Sequence, residues 1–210
     1  MILPIDTVIT FILASVVLAL VPGPDNIFVL MQTILHGRKE GFCITVGLCT
    51  GLLVHTGLVV LGISYVFKAS FFAFTLLKLI GAGYLLYLAW LAFNQHKHEL
   101  DSSDKKVSNL FSFYQRGIIM NMTNPKVGLF FMAYLPQFVV TEKENIALQL
   151  VLLGTLFILS TLVIFSIVVL LSNLMKVYLI QSESQQKIMN RVSTIIFIAL
   201  AINLIFVHQE

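Results

Sequence analysis

Val21-Pro22-Gly23-Pro24-Asp25-Asn26 stands inside a stretch that is otherwise apolar from about Val8 to Leu35, so helix breakers and a carboxylate fall where a membrane span is expected. The flanks, Val8 to Val21 and Ile27 to Leu35, are too uniformly oily to face water. Together they exceed the roughly 20 apolar residues needed to cross a hydrocarbon core. The hexapeptide therefore reads as an interruption at depth and as a site, not as a surface turn.

Composition agrees. The chain of 210 residues is 58% hydrophobic and 11% charged, with a mean hydropathy of +0.95, whereas ordinary soluble domains carry about 25% charged residues. An all-α integral membrane protein is expected. No Lys or Arg precedes the first apolar run, which begins beside Asp6, so a cleaved signal with a positive n-region is not expected. Cys43 and Cys49 are too few for a disulfide framework and fall on different helix faces.

Apolar runs of spanning length recur at about 5–35, 41–67, 69–93, 115–140, 146–172 and 189–207. Six transmembrane helices follow. The polar stretch Asn94 to Phe113 separates two three-helix halves, residues 1–93 and 114–210, with 94–113 as a cytoplasmic linker. Its His96-Lys97-His98 offers imidazoles but reads as solvated loop. Gly47 and Gly51 have the spacing that lets helix backbones approach, and Gly81 and Gly83 are also read as packing contacts.

Orientation follows from the basic residues, which favour the cytoplasmic side. Arg38, Lys39, Lys97, Lys105, Lys106, Arg116, Lys176, Lys187 and Arg191 gather on one side, against Lys68 and Lys143 on the other. With an even number of spans, both termini lie outside.

Of the ten acidic residues, Asp25 alone lies deep in a span. An ionisable group near the bilayer centre costs roughly 2.5–3.5 kcal/mol on the insertion scale, so it faces a partner or a watery cavity. A structural ion pair with Lys78 or Lys126, the two basic residues inside spans, is the plain alternative. A second interruption, Asn121-Met122-Thr123-Asn124-Pro125-Lys126, precedes the apolar run Val127 to Leu135 and then Pro136-Gln137. Pro125 lies close to half a chain length beyond Pro24. Proline removes a helical hydrogen bond and glycine eases unwinding, so helices 1 and 4 are expected to break at these motifs. At membrane depth the freed backbone groups are tolerated only against protein or around a polar cavity. Two broken helices at corresponding places point to a transporter's binding site, and halves with an odd number of spans insert in inverted topology.

These groups suit a zwitterion. An ammonium needs carboxylate, amide or carbonyl acceptors, and a carboxylate needs a cation or the positive N-terminal end of a half-helix. Asp25, Asn26 and the opened carbonyls around Pro22, Gly23 and Pro24 supply the first; Lys78, Lys126 and the amides following Pro24 and Pro125 supply the second. Asn121 and Asn124 share a face and can line the cavity or cap the broken helix. His55, near the middle of the second span, can carry a proton near neutral pH or simply pack. Tyr84 and Tyr87, one turn apart, can line a pocket or bond between helices.

Val21-Pro22-Gly23-Pro24-Asp25-Asn26, the stretch Lys78-Leu79-Ile80-Gly81-Ala82-Gly83-Tyr84-Leu85, and Asn124-Pro125-Lys126 with downstream Leu135-Pro136-Gln137-Phe138 together resemble the LysE/RhtB family of amino-acid exporters. The resemblance covers the whole segment layout. It implies a secondary carrier in a bacterial cytoplasmic membrane that expels amino acids such as threonine, homoserine or basic ones, by alternating access and with protons as coupling ions.

No G-x-x-x-x-G-K-[ST] loop occurs and no loop is long enough to form a nucleotide-binding domain, so ATP hydrolysis is not expected. Cofactors and nucleic-acid partners are not expected either; the expected partners are the amino acid, protons and the lipid bilayer, with homo-oligomerisation left open. An enzyme is not expected, since one deep acid makes no aspartyl dyad and Cys49 and His55 lie on different faces. The competing reading is a divalent-cation exporter of the cadmium type. Met31, Cys43, Cys49, His55, Met120 and Met122 are soft ligands for it, but their spacing predicts no metal site.

Overall fold

A computed structural model of the chain describes residues 3–69, 71–94, 109–140, 145–179 and 183–206. Among them every regular element is helical. The order is α1 (Ile5–Leu20), α2 (Pro24–His36), α3 (Arg38–Ala69), α4 (Phe71–Asn94), α5 (Leu110–Thr123), α6 (Pro125–Leu129), a π-helical turn Phe130–Tyr134, a 3-10 turn Leu135–Phe138, α7 (Ile146–Leu179) and α8 (Glu183–Phe206). Each apolar run read from the sequence falls on one helix, on the broken pair α1 and α2, or, for 115–140, on the series from α5 through the 3-10 turn. By length and hydropathy alone, Arg38–Gly62 and Ile146–Ser172 qualify as spans, and α1 with α2, bent by 57°, qualifies as a third.

The first break has a local cause. Val21 precedes Pro22 and Gly23 precedes Pro24, and a residue before proline is pushed out of the helical region. Val21 accordingly has ψ 120°, and Gly23 is fully extended at φ −161° and ψ −178°. Pro24 then opens α2, where its missing N–H costs nothing. The same logic acts at Asn124, extended before Pro125 at ψ 107°. Its side-chain oxygen accepts from Lys126 N at 3.0 Å, capping α6. Farther on, Pro136 cannot donate into the helical ladder. The turn just before it widens to π geometry, with Leu135 N bonding Phe130 O.

The second half begins earlier than expected. Leu110–Phe113, assigned from sequence to the linker, form the first turn of α5 because Asn109 caps it, accepting from Phe111 N at 3.0 Å. Asn94 likewise belongs to α4. The rest of the linker, with His96-Lys97-His98, lies outside the described residues.

Side-chain burial inverts the logic of a soluble protein. Leu61 is 69% exposed and Ile195 66%, so the outer surface is as apolar as the core. Close backbone approach joins α3 to α5: a methyl on Gly47 would meet Tyr114 O and, at 3.0 Å, Gly117 Cα. Gly81 packs on Ala133, whereas Gly83 faces open space and makes no such contact. The larger buried apolar cluster centres on Phe11, Phe130, Phe131, Tyr134 and Phe157. The other gathers Val29, Ile44, Leu48, Phe113 and Phe165. α3 and α7 contribute to both, Ile44 and Leu48 to the second against Leu52 and Val59 to the first, and Phe165 to the second against Leu153 and Phe157 to the first. α3 packs on α7 and α4 on α8, while α5 lies on α3 and both α1 and α2 lie on α7.

Candidate functional site

Breaking α1 strands the carbonyls of its last turn, and those of Val17, Leu18, Ala19 and the following Val21 find donors. Val21 N reaches Val17 O at 3.0 Å. The Asn26 amide donates to Ala19 O at 2.7 Å, folding the start of α2 back onto the end of α1. The Lys126 ammonium donates to Leu18 O at 3.1 Å and Val21 O at 2.9 Å. This lysine is buried at 7% exposure. It comes from the other broken helix and sits at the negative end of the α1 dipole, where a cation is favoured. The ammonium therefore caps a helix end in this conformation.

Asp25 occupies the complementary position. It lies in the first turn of α2, 4% exposed, at the positive end of that helix. Its Oδ2 accepts from the Asn121 amide at 3.3 Å, linking α2 to the end of α5. Asn121 O in turn accepts from Asn124 N at 3.0 Å and faces His55 Nε2 at 3.3 Å. A ring nitrogen facing a carbonyl must carry the hydrogen, which fixes the role of Nε2 here. His55 also lies against Phe131, ring centroids 5.7 Å apart. Lys126 and His55 are both within electrostatic reach of Asp25.

Several valences in this cluster are unfilled. Asp25 Oδ1, Asn26 Oδ1, Asn121 Oδ1 and the Asn124 amide nitrogen are buried and make no well-formed hydrogen bond, although the Asn124 amide lies close enough to the Asp25 carboxylate to act on it. Leaving a buried polar group unmade costs about 1–3 kcal/mol, so such a concentration makes this place the candidate binding site. The Asn121 oxygen is turned toward Gly51, where a methyl would stand only 2.7 Å away. The other three could meet a group with donors and an acceptor.

The structure thus brings Asp25, Asn26, Asn121, Asn124, Lys126 and His55 together, with Pro22, Gly23, Pro24 and Pro125 creating the breaks that let them meet. It does not bring Tyr84 and Tyr87. Their rings meet at a tilt of 45° with centroids 5.7 Å apart, Tyr87 stacks on Trp90 at 6.2 Å, and Tyr87 is 49% exposed on the outward face of α4. Lys78 falls on α4, but its side chain lies outside the described residues. Sequence reasoning missed the carbonyls of Leu18 and Ala19, because main-chain acceptors leave no compositional trace. It also read Gly51 as a packing residue only, whereas Gly51 makes the room that Asn121 needs. Among the described residues no group of three His, Cys, Asp or Glu side chains is placed to hold a metal ion.

A family model described as LysE type translocator matches residues 16–207. The chain belongs to this family. Among relatives of this LysE type translocator is a Bacillus subtilis protein described as uncharacterized membrane protein YrhP, 28% identical over 205 residues, covering 93% of this chain and 97% of the relative. The homoserine/homoserine lactone efflux protein of Salmonella typhimurium is 34% identical over 149 residues, covering 68% of this chain and 69% of its own. The protein of the same description from Salmonella typhi matches to the same extent. No solved structure matches. As a LysE type translocator, the chain is a multi-pass membrane protein that handles a small-molecule substrate in a lipid environment.

Proposed function

We propose that this chain is a proton-coupled exporter of amino acids from the cytoplasm, working by alternating access at the junction of its two broken helices. The carrying observation is the cluster of buried, unpartnered groups where these breaks meet: Asp25 Oδ1 and Asn26 Oδ1 for an ammonium, and the Asn124 amide for a carboxylate. Both charges of a zwitterion have complements there, beside the positive ends of two half-helices. The efflux of homoserine and its lactone named for the Salmonella relatives supports the same substrate class.

The architecture proposed is six spans in the cytoplasmic membrane, two inverted three-helix halves and both termini outside, with 95–109 linking them on the cytoplasmic side. The packing supports it: exchanging the halves would map the α3–α7 and α4–α8 contacts onto themselves and the α3–α5 contact onto that of α1 and α2 with α7. The basic residues along one side support the orientation. Asp25 is the proposed proton carrier, with His55 as its neighbour through Asn121.

The test is a counterflow screen of radiolabelled amino acids in vesicles containing only this protein. Exchange of at least one amino acid, accelerated by a pH gradient in net efflux, is the expected result. Vesicles that exchange none, or that move divalent cations instead, would overturn the reading.

A further inference from the structure

Lys126 fills an ammonium site built from main chain. Its nitrogen is held at 2.9 Å by Val21 O and at 3.1 Å by Leu18 O, and no bond to the Asp25 carboxylate competes with them. Gly23 leaves it room, since a methyl there would stand 3.2 Å from the nitrogen. Two of its three N–H donors are used, in a pocket buried enough to keep water from serving as the alternative partner.

The free ammonium of an amino acid has the same charge, the same three donors and nearly the same size. Carbonyls that hold one can hold the other. At the negative end of a helix inside the membrane, these carbonyls are costly to leave bare. The departure of one ammonium is therefore favoured when another arrives. Asp25 Oδ1, buried without a partner and within electrostatic reach of Lys126, gives the displaced lysine an acceptor to turn to.

We infer that Lys126 is a resident stand-in for the substrate, whose ammonium occupies the Leu18 and Val21 carbonyl cradle in the empty carrier and is displaced by the primary ammonium of the incoming molecule. This rests on the transport reading above, narrows its substrate class, and exchanges two assignments within it: the substrate ammonium takes the Leu18 and Val21 carbonyls, and the ammonium that Asp25 Oδ1 receives is that of the displaced Lys126. The required group is a free primary ammonium; N-acylated or deaminated analogues lack what is needed to displace the lysine, while amides and esters of amino acids retain it.

The arithmetic is that of a competitor on the same chain. Apparent affinity is reduced by the fraction of carriers whose site is available, so a lysine in place nine times out of ten weakens binding about tenfold. It also keeps the substrate from lingering, since the lysine is always at hand to take the cradle back.

The test compares wild type with Lys126→Met, which keeps the length and apolar stem of the side chain but not its charge. Binding of the amino acid most active in counterflow is measured on protein in lipid nanodiscs. Lys126→Met is expected to bind about tenfold more tightly and to turn over about tenfold more slowly. Binding weakened about tenfold and restored by Lys126→Arg would overturn the inference, because the lysine would then hold the substrate carboxylate.

Should Lys126→Met not yield folded protein, competition on wild type decides. n-Propylammonium is expected to displace the bound amino acid and butyrate to leave it; the reverse order overturns the inference. Should wild type exchange no amino acid at all, the transport reading fails by itself. The cradle is then judged by n-propylammonium thermal shifts, expected to be larger in Lys126→Met than in wild type, with equal or absent shifts overturning it.

Discussion

The Asn121 amide donates to the Asp25 carboxylate at 3.3 Å across 96 residues of sequence, so the end of one broken helix is tied to the start of the other. Both partners are buried, Asn121 at 2% and Asp25 at 4% exposure. Removing either leaves a polar group without water to replace the loss, about 1–3 kcal/mol. Asp25→Asn keeps the shape and removes the charge. The variant is expected to insert and fold as wild type does, yet to lose at least tenfold in pH-driven amino-acid efflux from proteoliposomes. Unchanged efflux would exclude Asp25 as the proton carrier.

Gly51 and Gly47 predict two different failures. A methyl on Gly51 would stand 2.7 Å from the Asn121 oxygen and 2.8 Å from its Cβ, so Gly51→Ala displaces a side chain of the site. A methyl on Gly47 meets the backbone of α5 at Tyr114 O and Gly117, which can yield only by moving a helix. Gly51→Ala is expected to reduce transport about tenfold with a melting temperature near that of wild type. Gly47→Ala is expected to destabilise by about 2 kcal/mol or more, on the scale of overpacked cores. Gly83→Ala, facing open space, should leave both unchanged. Detergent melting curves read beside transport rates separate the three.

Much of this fold was legible because its causes are local. Pro22, Pro24 and Pro125 break helices through a missing donor and a steric clash, which need no neighbours to be foreseen. The apolar runs were legible for the same reason, since length and hydropathy alone decide whether a segment can cross lipid. What escaped was set by three-dimensional neighbours. The sequence offers Lys126 to the substrate carboxylate on charge alone, but its nitrogen lies on the Leu18 and Val21 carbonyls, which only the meeting of the two breaks in space brings within its reach. Tyr84 and Tyr87 share a helix face as their spacing implied. Which way that face points depends on α4 packing through Gly81 on Ala133, which spacing does not encode.

That outward face makes its own prediction. Tyr87 is 49% exposed and Trp90 60%, so their rings contribute surface, not lining, to the helical bundle. Tyr87→Phe and Trp90→Leu are each expected to keep counterflow within about twofold of wild type, as surface substitutions usually do. A loss of tenfold or more in either would return α4 to the site.

His55 reaches the cluster through a carbonyl that has a second donor. Asn121 O keeps its bond from Asn124 N at 3.0 Å when the imidazole at 3.3 Å is removed, so His55→Leu leaves no acceptor bare. The cost is one hydrogen bond of about 1 kcal/mol and a change of shape beside Phe131. Counterflow in His55→Leu is therefore expected to fall less than tenfold, while net efflux keeps its response to an imposed pH gradient, Asp25 being the proposed proton carrier. Proteoliposomes in which the variant still exchanges amino acid but ignores the gradient would transfer that role from Asp25 to His55.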